Sequence, residues 1–470
     1  MIERQLATET IDKVGERVTI MGWVHARRNM GKVAFLDMRD RTGILQVVVV
    51  PGELDDDASR DIVADIRPEY VLKIEGEVQA RGEKQINDKM ATGTVEILAK
   101  KIEILNTAET PPFELDRDTS AVTEEARLAY RYLDLRTDRM TRNMRMRGKV
   151  FQFIREYLTG SDFTEIETPI LTKGTPEGAR EYIVPSRLYS GEFYVLPQAP
   201  QQFKQLLMTA GIEKYFQMAK CFRDEDQRGD RQPEFTQMDL EMSFVDREDV
   251  MTLIESMLIE VVNKLYPEKK IQQVPFPRIS YKEAMDKYGN DRPDFRKNPE
   301  DPNELAFGWV IDFPFFEKDD EGGWTFTHNP FSSAMPEFAD DLSKKENIEN
   351  IIASQYDVIL NGFEIGGGSI RNHMPEALKA VLEILGNDAE QMDEQFGHIL
   401  KAFEFGAPPH GGIALGMDRI MAILQNEPNI REVMAFPKDG HAKDLMMRAP
   451  SPLSKKALRE ANIEVLSEEE

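Results

Sequence analysis

The chain has 470 residues, of which 41% are hydrophobic, and this length exceeds what one hydrophobic core normally holds, so we expect two or three domains. Its formal net charge of -25 argues against indiscriminate binding to nucleic acid or anionic lipid, although a local basic face can still bind RNA. Cys221 is the only cysteine, which excludes an internal disulfide and a multi-cysteine metal site and is typical of a reducing compartment. No apolar run approaches the roughly 20 residues of a membrane span, so we expect a cytoplasmic protein without a membrane segment.

Five short strand-like runs lie between Val18 and Leu105, separated by turns of Gly, Asn and Asp. The runs are RVTIMGWV, VAFLDMRD, GILQVVVV, EYVLKIEGEVQARG and GTVEILAKKIEIL, with one helical stretch, DDASRDIVADIR, among them. This pattern predicts a small closed barrel of the OB type, which we assign to residues 1–106. The next run, NTAETPPFELDRDTS, has paired prolines and no periodicity, so we expect a linker over residues 107–140.

The remaining residues, 141–470, begin with a helix whose apolar side chains from Val150 to Leu158 share one face before Gly160 ends it. Beyond this helix, strand follows strand without a helix after each one. This order predicts an α+β domain with a mainly antiparallel sheet rather than a doubly wound fold.

The stretch CFRDEDQRGDRQPEFTQMDLE places charged residues on alternate positions of two predicted strands joined by a turn. Arg223 and Glu225 would share one face, and the same face of the next strand would carry Phe235, Gln237, Asp239 and Glu241. Charged alternation usually means a solvated face, but an aromatic shares this one. A guanidinium, a carboxylate and a flat aromatic together could hold a nucleotide.

Two later stretches contain complementary parts of such a site. GFEIGGGSIR carries Glu364, a glycine run that lets the backbone approach a ligand, and Arg371 beyond it. GIALGMDRIMAIL reads as a strand, a turn at Gly416 and a helix with Arg419 in its first turn. A cation is unfavourable at a helix N-terminus unless an anion binds there, so this position indicates a bound anion.

These stretches together resemble the aspartyl-tRNA synthetases of the bacterial type, a family of class II aminoacyl-tRNA ligases. The resemblance covers nearly the whole chain and rests on GWVHARRNMGKVAFLDMRDRTGILQVVV, TEEARLAYRYLDLR, ETPILTKGTPEGAREY, LPQAPQQFKQLLM, the charged stretch above, GMDRIMAIL and MAFPKDG. It implies ATP-dependent activation of L-aspartate and transfer to tRNA-Asp, with tRNA-Asn as an open second substrate. It also implies a homodimer, with the helix ending near Gly160 and the following Pro169 at the interface.

The resemblance assigns catalytic roles to Arg223, on the α-phosphate and the amino acid carboxylate, and to Arg419, on the γ-phosphate. The residues it assigns to ATP are Arg223, Asp224, Glu225, Gln232, Phe235, Glu364, Gly416, Met417, Asp418 and Arg419. Asp357 and Glu364 match the family's Mg²⁺ carboxylates, since Mg²⁺ prefers oxygen ligands.

The amino acid pocket implied by the resemblance contains two cations. Its residues are Glu177, Gln201, Lys204, Arg223, Asp239, His328 and Arg371. Lys204 and Arg371 would bind the side-chain carboxylate of aspartate, and Asp239 its α-ammonium. A lysine pocket would need acids instead, and an asparagine pocket would bury surplus positive charge beside a neutral amide.

Two alternatives stay open. One is an asparaginyl or lysyl synthetase of the same subgroup, which the paired cations disfavour. The other is a synthetase-like RNA-binding regulator without catalysis, which predicts loss of the catalytic residues, whereas Arg223, Glu225, Glu364 and Arg419 are all present. An amide ligase built on the catalytic domain alone would have no use for the barrel.

The barrel residues that fall at the family's anticodon positions are Arg28, Met30, Phe35, Gln46, Arg81 and Glu96. We expect Phe35 to stack on a base and the polar residues to bind base edges, and Met30 to favour tRNA-Asp over tRNA-Asn. A basic cluster, Arg136, Arg139, Arg142, Arg145, Arg147 and Lys149, could touch the tRNA backbone, but we favour an ordinary helix surface.

The chain departs from the family in four places. The domain that bacterial members usually carry between the second and third motifs is absent between residues 291 and 308. Asn329, Ala199 and Ala26 replace a histidine, a serine and an arginine that are common in the family. We expect these changes to alter affinity and not the type of reaction.

Overall fold

The computed structural model of the chain describes residues 4–174, 178–319 and 321–466. The chain divides into two units, Met1–Asp138 and Arg139–Glu470. The predicted α+β class is confirmed, with a β-barrel in the first unit and a large sheet flanked by helices in the second.

The first unit is built on a closed five-stranded barrel, as the sequence predicts. Its strands are β1 (Arg17–Met30), β2 (Val33–Asp40), β3 (Gly43–Val49), β4 (Val71–Ala80) and β5 (Val95–Asn106), and α1 (Asp57–Ile62) lies between β3 and β4. The order around the barrel is β1-β2-β3-β5-β4, and only β3 and β5 run parallel within the described part of the barrel. Leu45, Val47 and Val49 of β3 point into the core while their neighbours point outward, which is the period-two pattern of a half-buried strand.

The segment after the barrel is more ordered than its sequence predicts. It is irregular through the paired prolines and then forms α2 (Glu124–Ala129) and α3 (Arg131–Asp134). The fully buried carboxylate of Asp134 accepts hydrogen bonds from Thr119 Oγ1 at 2.5 Å and Arg131 Nη1 at 2.7 Å. Because a buried charge is tolerated only with such partners, these contacts hold the second half of the segment in place.

The second unit contains all the remaining strands and helices. Its strands are β6 (Thr164–Glu165), β7 (Ile183–Pro185), β8 (Phe193–Val195), β9 (Lys214–Phe222), β10 (Glu234–Ser243), β11 (Lys270–Ile271), β12 (Arg278–Ser280), β13 (Glu304–Leu305), β14 (Phe307–Ile311), β15 (Phe316–Lys318), β16 (Trp324–Phe326), β17 (Gln355–Leu360), β18 (Phe363–Ile370) and β19 (His410–Gly416). Its helices are α4 (Asp138–Thr159), α5 (Gln201–Thr209), α6 (Arg247–Leu265), α7 (Tyr281–Tyr288), α8 (Ala339–Lys344), α9 (Pro375–Ile384), α10 (Ala389–Phe403), α11 (Met417–Leu424) and α12 (Lys455–Glu460).

Eight of these strands form one sheet in the order β12-β14-β17-β18-β19-β10-β9-β6. The pairs from β14 to β9 are antiparallel, and the two edge strands pair in parallel. The prediction of a mainly antiparallel sheet is therefore confirmed.

The main core of the second unit lies between one face of this sheet and the helices α4, α6 and α11. Val150, Ile154 and Leu158 of α4 are buried in it, as their helical spacing predicts. Asp246 caps α6 by accepting hydrogen bonds from the N–H groups of Glu248 and Asp249. Since the helices cover this face, the charged residues of the sheet must use the other one. No helix in the described ranges is both long enough and apolar enough to cross a membrane.

Candidate active site

The register of the sheet brings charged and small residues together on its second face. One row across the sheet runs through Asp357, Gly367, Ala414, Asp239 and Gln217, and the next through Gln355, Ser369, Gly412, Glu241 and Tyr215. Residues that alternate with these in β10, Met238, Leu240 and Met242, are in the core. The alternation predicted for β10 is therefore correct.

Glycines between the charged residues leave parts of this face of the sheet without side chains. A Cβ on Gly412 would lie 2.1 Å from Glu241 Oε2, and one on Gly367 would lie 2.8 Å from Asp357 Oδ1. Neither position has room for a side chain, so the glycines leave space above the sheet for a ligand.

A cavity of about 370 Å³ lies over these rows. Among the residues predicted from sequence it is lined by Gln201, Lys204, Arg223, Glu225, Gln232, Phe235, Asp239, His328, Glu364, Arg371, Gly416, Asp418 and Arg419. The structure thus brings residues from β10, β18, α5 and α11 into one space.

Two cations and two carboxylates form a buried quartet at one end of the cavity. Lys204 Nζ lies 2.7 Å from Asp239 Oδ1 and 3.2 Å from Glu241 Oε2, and Arg371 Nε lies 2.9 Å from Glu241 Oε1. No side chain of the quartet is more than 2% exposed. Two positive and two negative charges balance, so the quartet is neutral before any ligand binds.

This balance corrects one sequence argument. The argument held that an asparagine pocket would bury surplus positive charge, but Lys204 and Arg371 are already neutralised by Asp239 and Glu241. Selection of aspartate must therefore come from the hydrogen bonds that the quartet has left to make and not from a net charge.

The quartet has unused hydrogen-bonding capacity. Within the described residues, Asp239 Oδ2 is buried and accepts no well-formed hydrogen bond, although the Tyr215 hydroxyl lies near this carboxylate. Burial raises the pKa of Asp239, and Lys204 opposes this rise. Burial also acts to raise the pKa of Glu241, but Arg371 and Lys204 outweigh it, and the pKa of Glu241 is lowered. A buried oxygen without a donor is costly, so this atom is a natural acceptor for an incoming ammonium group.

His328 faces the cations of the quartet. Burial first, and then the charges of Arg371, Arg223 and Lys204, lower its pKa to about 4. The imidazole is therefore neutral at pH 7 and adds no further positive charge to the site.

The guanidinium of Arg223 lies over the Phe235 ring, 5.2 Å from its centroid. Its Nε is buried and has no hydrogen-bond partner in the part of the chain that the structure describes. A guanidinium with a buried N–H group to donate, beside a half-buried aromatic ring, is suited to an anion attached to a flat base.

Arg419 is held by two neighbours. Its Nη1 donates to the carbonyl oxygen of Glu364, and its Nη2 lies 3.1 Å from Asp230 Oδ2. Asp230 belongs to the connection between β9 and β10 and lines the cavity. An anion that binds Arg419 would compete with this carboxylate for the guanidinium, whose buried Nε has no partner among the described residues.

Two predicted carboxylates lie on neighbouring strands. Asp357 is buried, and burial together with the charge of Glu364 raises its pKa well above the usual value. Glu364 lines the cavity, whereas Asp357 lies behind the position of Gly367. A buried carboxyl group whose charge is disfavoured by a neighbouring carboxylate fits a divalent cation between the two. No group of three or more His, Cys, Asp or Glu side chains in the described ranges is arranged to hold a metal.

Three predicted contacts stand differently in the structure. The side chain of Asp224 is exposed and does not line the cavity, and that of Met417 is buried in the core, so only the backbone of Met417 could meet a nucleotide. Glu177 lies outside the described residues. The expected strand through Arg223 and Glu225 is also wrong, because β9 ends at Phe222 and the connection to β10 is irregular there.

Three residues of the site received no predicted role, although two of them, Gln237 and Glu241, were predicted to share the face of Asp239. Glu241 and Gln237 share the alternation of β10 that pointed to Asp239, and Gln237 accepts a hydrogen bond from Cys221 Sγ at 3.1 Å. Their spacing could have placed them in the site. Asp230 carries no comparable signal, since only the three-dimensional structure places it beside Arg419.

The barrel carries a separate polar chain on its outer face. Arg28 Nη2 donates to Asp37 Oδ1 at 2.9 Å and to Gln46 Oε1 at 3.1 Å. Gln46 Nε2 then donates to Glu96 Oε2 at 2.8 Å, and Arg81 Nε lies 3.5 Å from the same oxygen. Four predicted anticodon residues, Arg28, Gln46, Arg81 and Glu96, are therefore connected, and among them Arg81 is buried. Asp37 was not anticipated.

Two further predicted anticodon residues flank this chain. Phe35 lies opposite Arg28 in the pairing of β1 with β2 and is half-buried, so part of its ring is available for stacking. Met30 is 70% exposed at the end of β1.

The basic cluster is largely engaged within the protein. Arg139 binds Glu427 and Glu432 at 2.7 and 3.1 Å, and Arg147 binds Asp418 at 2.6 Å. These ion pairs support the interpretation of the cluster as part of a packed helix.

Comparison with known proteins agrees with both units. A model of tRNA synthetases class II (D, K and N) matches residues 123–440, and a model of the OB-fold nucleic acid binding domain matches residues 18–105. The chain belongs to the class II tRNA synthetases. A relative named aspartate--tRNA(Asp/Asn) ligase, from Rubrobacter xylanophilus, is 40% identical over 96% of this chain and 94% of that protein. The aspartate--tRNA ligase of Listeria monocytogenes is also 40% identical, over 97% of each chain.

The solved structures support the fold of this synthetase. Asparaginyl-tRNA synthetase from Pyrococcus horikoshii, complexed with asparaginyl-adenylate, superposes with a TM-score of 0.75 over 96% of this chain and all of that one, at 23% identity. The alignment with the Rubrobacter protein spans 576 positions, so at least 106 of them have no counterpart in this 470-residue synthetase. The sequence predicts that an inserted domain is missing between residues 291 and 308, and the positions without a counterpart could belong to that domain.

Proposed function

We propose that this synthetase is an aspartate–tRNA ligase, which activates L-aspartate with ATP and transfers it to the 3′ end of tRNA-Asp. The observation that carries the proposal is the buried quartet with its unpartnered Asp239 oxygen. Relatives named aspartate--tRNA ligase at 40% identity over nearly full length support it.

The quartet supplies complementary groups for both ends of aspartate. Asp239 Oδ2 accepts the α-ammonium. Lys204 Nζ and Arg371 Nη1 donate to the side-chain carboxylate, because each keeps an N–H group that no described residue accepts. An asparagine amide would offer one oxygen and a donor of its own, and that donor would face two cations.

ATP would occupy the rest of the cavity. Its adenine stacks on Phe235, its α-phosphate meets Arg223 and its γ-phosphate meets Arg419, in place of Asp230. The α-carboxylate of aspartate then attacks the α-phosphate in line, and pyrophosphate leaves. Because no protein nucleophile is needed, catalysis comes from positioning and from the arginine charges.

Asp357 and Glu364 would hold the Mg²⁺ that such a reaction uses. Their neighbouring positions and the raised pKa of Asp357 fit a divalent cation. When bound, the ion neutralises phosphate charge. The residues of this chain orient the nucleotide around it.

The barrel face would bind the anticodon. Stacking on Phe35 and hydrogen bonds from Arg28, Gln46 and Arg81 suit unpaired bases. Relatives named for tRNA-Asp alone and for tRNA-Asp and tRNA-Asn are equally similar, so an assay must decide between them.

We also infer a homodimer in the cytoplasm. The β7–β8 hairpin, which follows the predicted interface residue Pro169 in the chain, exposes the apolar side chains Ile183, Leu188, Tyr189 and Phe193. The single cysteine, which is buried, fits a reducing compartment. Sedimentation at micromolar concentration should give twice the 53.8 kDa mass of the chain.

The test is amino-acid-dependent exchange of pyrophosphate into ATP, followed by charging of purified tRNA-Asp and tRNA-Asn. We expect exchange with aspartate and charging of tRNA-Asp. Exchange with asparagine or lysine but not aspartate would overturn the substrate, and no exchange with any amino acid would support the regulator instead.

A further inference from the structure

Asp418 lines the cavity, but both of its side-chain oxygens are already bound by the protein. Its Oδ1 lies 2.6 Å from Arg147 Nη1, and its Oδ2 accepts a hydrogen bond from the N–H of Thr236 at 2.8 Å. Its side chain is 4% exposed. Each oxygen of this buried carboxylate accepts one hydrogen bond from the protein, so Asp418 connects Arg147 to Thr236.

The two partners of Asp418 place it between the groups proposed for ATP. Thr236 follows Phe235 in β10, and Asp418 precedes Arg419 in the first turn of α11. One carboxylate thus joins the strand that carries the adenine platform to the helix that carries the γ-phosphate cation. This contact adds to the backbone pairing of Gln237 with Gly416, so it contributes to the distance between these two groups.

Arg147 binds the Asp418 carboxylate from outside the cavity. It lies on α4 and is 18% exposed, its guanidinium lies over the Phe151 ring at 4.6 Å, and its Nη1 also donates to Val433 O at 3.4 Å. Because the Phe151 ring and the Val433 carbonyl fix the direction of its guanidinium, Arg147 holds the Asp418 carboxylate in one orientation and neutralises its charge. Without it, a buried carboxylate would lose its counter-ion.

We propose that Arg147 is a positioning residue for ATP, acting through Asp418 to set the separation of Phe235 and Arg419. The inference rests on the proposed ATP site and adds to it a residue of α4 that does not line the cavity. A displacement of about 1 Å in a reacting geometry can cost on the order of 100-fold in rate, so a loosened joint should be measurable.

The same helix supplies matched controls. Arg139 makes an equally short ion pair, at 2.7 Å, with Glu427, which follows the far end of α11. Arg142 is 58% exposed, and its Nη2 lies 3.9 Å from Glu427 Oε1. Loss of Arg139 should therefore lower stability without moving Arg419, and loss of Arg142 should do neither.

The experiment measures pyrophosphate exchange and thermal unfolding of the full chain for Arg147→Met, Arg147→Lys, Arg139→Met and Arg142→Met. We expect Arg147→Met to raise KM for ATP by about 10- to 100-fold and to leave KM for aspartate unchanged. Arg147→Lys should recover part of the loss, because it keeps the charge. Arg139→Met should lower Tm, with KM for ATP as in the wild type.

A double-mutant cycle completes the test. Asp418→Asn should raise KM for ATP, and adding Arg147→Met should raise it no further, since both changes break one joint. A wild-type KM for ATP in folded Arg147→Met, additive effects, or an equal rise in Arg139→Met would overturn the proposal. Should Arg147→Met fail to fold, Arg147→Lys decides by the same comparison. If the wild type activates another amino acid, the proposal of aspartate as substrate is refuted. The role of Arg147 is then tested by measuring KM for ATP with that amino acid.

Discussion

Arg371→Lys tests how the pocket binds the side chain of its amino acid. A guanidinium has five N–H groups. In this protein Arg371 uses four of them on described residues: Nε and Nη2 on Glu241 at 2.9 and 3.3 Å, Nη1 on Ser369 at 2.8 Å, and Nη2 on Gly412 O at 3.3 Å. The fifth, on Nη1, is left for the substrate carboxylate.

Lysine at position 371 keeps the charge that neutralises Glu241. It loses the planar set of N–H donors through which a guanidinium can bind Glu241 and the ligand at the same time. We therefore expect the protein to fold and to lose one charge-assisted hydrogen bond to aspartate, about 1.5–3 kcal/mol. This loss corresponds to a rise in KM for aspartate of about 10- to 140-fold.

The assay is aspartate-dependent pyrophosphate exchange at saturating ATP, with KM for ATP measured in parallel. Arg278→Lys is the matched control, since Arg278 binds Glu248 at 2.8 Å outside the cavity. An unchanged KM for aspartate in Arg371→Lys, or an equal rise in KM for ATP, would show that Arg371 does not bind the amino acid side chain.

Three further predictions concern other parts of the protein. Asp230→Asn should lower KM for ATP by up to about fivefold in pyrophosphate exchange, because it removes a partly exposed carboxylate that competes for Arg419; a higher KM would mean that Asp230 helps to bind ATP. Phe35→Ala should raise KM for tRNA-Asp by about 5- to 140-fold in aminoacylation and leave exchange unchanged, since stacking is worth about 1–3 kcal/mol per base; equal loss in both assays would contradict this. The pKa of His328 is about 4 in the folded protein against 6.5 unfolded, so its contribution to stability is complete above pH 6.5 and is lost as pH falls toward 4. Tm should therefore fall less in His328→Gln than in the wild type between pH 6.5 and pH 4. Parallel curves of Tm against pH would exclude this role.

The sequence predicts the sheet better than the loops. Period-two alternation identifies the barrel strands because one face of each is buried. It identifies β10 because apolar core residues alternate there with polar residues, although most of this strand is buried on both faces. The same rule extended the strand wrongly past Phe222, since charged alternation in Arg223 and Glu225 looks alike in a strand and in an irregular connection.

The pairing of charges could not be read from the sequence. Alternation places Asp239 and Glu241 on one face, but only the register with β9 and β19 and the position of α5 show that they neutralise Lys204 and Arg371. The same holds for Arg147, whose partner lies 271 residues away along the chain. Long-range contacts of this kind leave no local pattern.

The most direct measurement of the central claim is calorimetric titration of the wild-type protein with aspartate and with asparagine, in the presence of a non-hydrolysable ATP analogue. If the unused N–H groups of Lys204 and Arg371 bind the side-chain carboxylate of the amino acid, aspartate binds at least tenfold more tightly than asparagine. This is the difference expected for one charge-assisted hydrogen bond. Equal affinities, or tighter binding of asparagine, would contradict that account of the pocket.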